Sequence, residues 1–98
     1  MIRIVYRWKV PEEHRAAFRA AWRETTTAIR ASTEGARGSV LLENCDDPAE
    51  CLTIAHWDRL DQWRSFIDSA PTSQMKTMHD LAERVSVQAF RQIDDQTI

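Results

Sequence analysis

Residues 51–66 read CLTIAHWDRLDQWRSF, and the hydrophobic period changes part-way along them. Leu52, Thr53, Ile54 and Ala55 make a short apolar and β-branched run, the pattern of a strand covered on both faces. His56 and Trp57 extend it. Asp58 then predicts a helix N-cap, its carboxylate accepting from the backbone N–H of Leu60 or Asp61 at the positive end of the helix dipole. Beyond it Leu60, Trp63, Phe66 and Ile67 recur at three- and four-residue steps and share one helix face, with Arg59, Gln62 and Arg64 outside.

Upstream of that stretch, Ile2, Ile4, Tyr6, Trp8 and Val10 alternate with Arg3, Val5, Arg7 and Lys9, which predicts a strand with one strongly apolar face. Pro11 suits the first position of a helix, where its missing N–H costs nothing, and Glu12 and Glu13 suit the first turn. Phe18, Trp22, Thr25 and Ile29 line the inner face of this helix, which should stop at Gly35. Gly38–Cys45 reads as a second strand, and Asn44–Glu50, with Asp46, Asp47 and Pro48, as a hairpin loop. Downstream, Ala70-Pro71-Thr72-Ser73 should break the second helix and cap a third, packed inward through Met75, Met78, Ala82 and Val85. Val85–Ile93 closes the pattern as a last strand, before a loose tail at Asp94–Ile98.

The order β-α-β-β-α-(α)-β is the split βαβ, ferredoxin-like arrangement: an α+β domain with a four-stranded antiparallel sheet and helices on one face. All 98 residues read as a single domain. Such a chain buries only about 60–65% of its unfolded surface, so association would help it. Apolar residues fall on both sheet faces, with Val5, Leu41, Ala55, Trp57 and Phe90 out of phase with Ile4, Leu42 and Ile54. A homodimer through sheet-to-sheet packing is the simple solution.

A formal charge of −2 gives no electrostatic case for nucleic acid or a membrane surface. No apolar run approaches the roughly 18 residues of a spanning helix, and MIRIVYRWKV lacks the features of a signal peptide, so a cytoplasmic protein is expected. Cys45 and Cys51, flanking the Asp-Asp-Pro loop, then read as free thiols. No metal-ligand spacing accompanies them, and Gly35 and Gly38 cannot build a G-x-G-x-x-G phosphate loop, so neither metal nor flavin is expected.

Element order, the Arg- and Lys-bearing first strand ending at Pro11, and the segment AHWDRLDQWRSF together resemble the antibiotic biosynthesis monooxygenase family of dimeric α/β-barrel proteins. In that family a strand ends in a tryptophan followed at once by a polar cap and a helix with aromatic residues; Trp57, Asp58 and Trp63 match. The resemblance implies a cofactor-independent monooxygenase acting on an aromatic or polyketide-like molecule. The quinone-forming branch carries Asn-x3-Trp-x5-Tyr, which falls on Thr53, Trp57 and Trp63, so only the tryptophan is kept. An arginine that this branch carries on the next helix falls near Thr77, with Lys76 as the nearest cation and His79 as a second candidate. The haem-degrading branch fits less well: its strand asparagine and helix tryptophan fall on Arg7 and Phe66, and His79 reaches the axial position only after a shift. The alternative to an enzyme is a non-catalytic, ligand-binding or stress-responsive dimeric barrel.

Set against these roles, aromatic residues fill cores by default. Trp8, Tyr6, Trp57 and Trp63 are the candidates to wall a flat pocket, with Arg7 as an anchor for a carboxylate or phenolate. Thr53, with His56 or His79, would hydrogen-bond or deprotonate a bound hydroxyl. His14 reads as a surface residue, and Met75 and Met78 as core filler.

Overall fold

The computed structural model describes residues 1–69 and 72–98. Its elements are β1 (Ile2–Lys9), a 3-10 turn (Glu12–His14), α1 (Arg15–Ser32), β2 (Ala36–Glu43), β3 (Glu50–Trp57), α2 (Leu60–Ser69), α3 (Thr72–Leu81) and β4 (Glu83–Arg91). The sheet order is β2-β3-β1-β4, with every neighbouring pair antiparallel. This is the ferredoxin-like α+β arrangement, and the sheet stays open rather than closing into a barrel. The expected break at Ala70–Pro71 lies outside the described residues. Among the described residues no helix is long and apolar enough to cross a membrane.

Boundaries shift where local chemistry departs from the simplest reading. Pro11 opens a 3-10 turn before α1 begins at Arg15, because His14 N–H closes onto the Pro11 carbonyl at 2.9 Å. β2 starts two residues earlier than expected, at Ala36, which pairs with Trp57; an irregularity around Gly38, whose φ is +92°, then resets the register. β4 likewise starts at Glu83 rather than Val85.

Asp58 does not use its carboxylate as the expected cap. Both oxygens accept from Arg37, at 2.9 and 2.8 Å. The guanidinium holds the Asp58 carboxyl below the usual range. The start of α2 is served from the other direction, by Gln62, whose Oε1 accepts from the Arg59 N–H at 3.0 Å.

The core lies between the inner sheet face and the helices. Ile2, Ile4, Tyr6 and Trp8 of β1 face inward with Cys51, Thr53, Ala55 and Trp57 of β3, and Phe18 and Ala21 of α1 and Phe66 of α2 close over them. Cross-strand register corrects the expected grouping of apolar residues. Leu41, Ala55 and Trp57 share the inner face with Ile4, whereas Leu42, Ile54 and Phe90 share the outer face with Val5. Val40, Leu42 and Phe90 are 43%, 47% and 50% exposed there. Both thiols are free, Cys45 exposed and Cys51 buried.

Candidate active site

Two cavities flank the inner end of β1, and the indole of Trp8 stands near the boundary. The larger is a groove of about 830 Å³ at the end of the sheet. Arg7, Trp8, Pro11 and His14 line one side, and Ala49 and Glu50 another. His79, Leu81 and Val85 complete it. Between Arg7 and Trp8 the β1–β4 register shifts, which leaves Val85 unpaired and turns it toward the groove. The smaller cavity, about 60 Å³, lies between sheet and helices. Tyr6, Trp22, Thr53, Trp57, Phe66 and Met78 are among its walls.

Trp8 is fully buried and spends its whole ring on the protein. Its centroid lies 5.3 Å from Phe18, 5.3 Å from His79 and 6.2 Å from Tyr6, and its indole N–H donates to Thr53 Oγ1 at 3.0 Å. It therefore has no free face for a substrate ring, contrary to the sequence expectation. What it does instead is carry His79. That imidazole is exposed on the groove side, and among the described residues no hydrogen bond occupies either ring nitrogen. Burial against the indole, then the nearby Arg84 charge, push its pKa below the ordinary histidine value of 6.5, while Asp80 opposes them. His79 is thus a neutral imidazole at neutral pH, with a lone pair available to take a proton.

His14, expected on the surface, faces the same groove. Its Nδ1 sits 2.9 Å from the Leu81 carbonyl oxygen. A carbonyl only accepts, so Nδ1 carries a proton. The signal for this placement is the spacing from Pro11: side chains three apart eclipse in a 3-10 turn, so His14 lies over Pro11 at the strand end. Arg7 reaches only the outer rim of the groove: it leaves β1 on the face opposite Trp8, across from Leu52, and lies half-exposed 4.0 Å from Glu50.

The remaining predicted residues divide. Tyr6, Thr53 and Trp57 line the inner cavity. Tyr6 accepts from the Trp63 indole N–H at 3.2 Å, and burial pushes its hydroxyl pKa up, so it keeps its proton. Trp63 is therefore tied to Tyr6 rather than stacked in the groove. Thr53 is 4% exposed. His56 is not with Thr53 at all: it projects from the outer sheet face, hydrogen-bonded to Arg3. Burial and the Arg3 charge lower its pKa. The inner cavity is lined by hydroxyls and by Arg30; its Ser39 accepts from the Trp22 indole N–H at 2.8 Å and pairs with Thr26 at 3.1 Å. Among the described residues no cluster of three His, Cys, Asp or Glu is placed to hold a metal ion.

Residues 1–80 match the family model for antibiotic biosynthesis monooxygenases. The chain belongs to that family. No curated protein matches it significantly. Among solved structures, SnoaB from Streptomyces nogalater, a cofactor-independent oxygenase, is similar with a TM-score of 0.80 at 21% identity, over 97% of this chain and 95% of that one. A Deinococcus radiodurans protein assigned to the antibiotic biosynthesis monooxygenases gives 0.79 at 20% identity, over 100% and 98%. Rv0793 from Mycobacterium tuberculosis gives 0.74 at 18% identity, over 98% of each chain. At these identities the likeness establishes the shared fold.

Proposed function

We propose that this member of the antibiotic biosynthesis monooxygenase family oxidises an electron-rich, phenol-type aromatic molecule with molecular oxygen and without a resident cofactor, in the groove at the end of the sheet. The observation that carries this reading is His79: an unoccupied, neutral imidazole braced by Trp8 at the wall of a groove of about 830 Å³. Small-molecule sites span about 300–1,000 Å³. The inner cavity, at about 60 Å³, falls well short of that range. SnoaB, of the same fold, is a cofactor-independent oxygenase, which supports the reaction class.

For an anthrone-like substrate, a ring methylene and one molecule of oxygen become a ring carbonyl and one molecule of water. His79 takes the proton of the ring hydroxyl and leaves the phenolate. The phenolate gives one electron to oxygen, and the resulting radical pair joins as a peroxide at the reacting carbon. His79 returns its proton to the peroxide and then takes the remaining C–H proton as the O–O bond breaks and the carbonyl forms; the released hydroxide takes that proton from His79 and departs as water. Leu81 and Val85 offer apolar walls against which the ring can pack. Tyr6, Thr53 and Trp63 act one layer away, fixing Trp8 and hence the imidazole.

The test is oxygen uptake with a panel of anthrone- and hydroquinone-like phenols. Uptake above the buffer rate with at least one is the expected result. Binding of these phenols without any uptake would instead establish the second reading, a ligand-binding member of the fold. That reading draws on the inner cavity, which is lined by hydroxyls and Arg30 and has no histidine in its wall.

The same proposal includes a second copy of the chain on the outer sheet face. Val5, Ile54 and Val40 align across three strands there, with Leu52 opposite Leu42, and this apolar band needs a cover. Light scattering should give twice the 11.4 kDa chain mass; a monomer at micromolar concentration would contradict it. Two free thiols suit a reducing, cytoplasmic setting.

A further inference from the structure

We propose that the cleft between α1 and the β2–β3 end of the sheet is a second binding site, for an amphipathic anion with a carboxylate or phosphate head and an apolar body. The cleft encloses about 310 Å³ and shares only Val10 with the groove of His79. It does not depend on the oxygenase reading.

Three guanidiniums border it. Arg15, Arg19 and Arg23 stand at four-residue steps, so they form one row along α1. Among the described residues none of the three makes an ion pair within 4.0 Å. The Arg15 Nε is buried without any hydrogen-bond partner. A guanidinium has donors only, and a buried donor left unmade destabilises the fold. Like charges four apart on a helix repel as well. The row therefore weakens the free protein twice over, and an anion seated against it relieves both penalties. Glu43 is the one carboxylate in the lining, and it pairs with none of the three arginines.

The remainder of the cleft favours an apolar body. Phe18 and Cys51 are buried at its floor, and Trp22 and Leu41 form a half-buried wall. Arg15 and Arg19 line the same cleft as the buried Cys51. A planar guanidinium fork matches carboxylate and phosphate alike, so the head group is decided by experiment.

Calorimetric titration of the full chain with decanoate, decyl phosphate and decanol separates the contributions. At least one of the two anions should bind, decanol at least ten-fold more weakly, and raised salt should weaken the anion only. The double variant Arg19→Gln/Arg23→Gln alters two exposed side chains and should unfold at or above the wild-type temperature, since it relieves like-charge repulsion, while losing at least ten-fold in anion affinity. Decanoate against decyl phosphate identifies the preferred head. The proposal is overturned if neither anion binds, if decanol binds as tightly, or if the double variant keeps wild-type affinity.

Discussion

Replacing His79 with alanine is expected to lower the rate of phenol oxidation by about 10²–10⁴-fold, the usual contribution of a positioned general base. The fold should survive, because the imidazole is exposed and its ring is held only by a tilted contact with Trp8. The pH profile separates a base from a mere wall. Burial and Arg84 keep the His79 pKa below 6.5, so the wild-type rate should stay level through neutrality and fall only as acid protonates the ring. The variant should lack that acid limb. Steady-state kinetics from pH 5 to pH 8 reads both effects; an unchanged rate, or an acid limb that persists in the variant, would remove His79 from the chemistry.

Trp8→Ala should cost about 3–5 kcal/mol, the range for deleting a large buried ring. Set against a total of about 5–15 kcal/mol for a domain, that leaves the chain close to unfolding. The size follows from position: Trp8 is fully buried on a central strand and packs on Phe18, Tyr6 and His79. Trp8→Phe keeps an aromatic ring and gives up the hydrogen bond to Thr53, so it should cost markedly less. Urea denaturation measures both. A loss below about 1 kcal/mol for Trp8→Ala would contradict the core role assigned to this residue.

The strand alternation of Ile2–Trp8 was legible in the sequence because β1 is central: neighbours on both edges and helices on one face leave its period-two pattern little freedom. Helices α1 and α2 were legible for the matching reason, a single buried stripe each. Which residues of different strands share a face was not, because register depends on the irregularity near Gly38 and the bulge at Val85, which shift pairing without changing composition. Asp58 looks like a cap because its nearest neighbours are helix N–H groups; its actual partner, Arg37, is 21 residues away in the chain. The parting of Thr53 from His56 was readable all along, since a separation of three in a strand puts side chains on opposite faces. His79 and His14 meet one groove only after α1, α3 and β4 have packed, which no local spacing encodes.

The central claim is that this protein places one atom of molecular oxygen into a phenol-type substrate at the His79 groove. Turnover under 18O2 with an accepted phenol, followed by mass spectrometry of the product, reads it most directly. The account predicts a product heavier by one 18O atom, formed by the wild type and lost in His79→Ala. A product whose new oxygen comes from water, or equal labelling by both proteins, would contradict it.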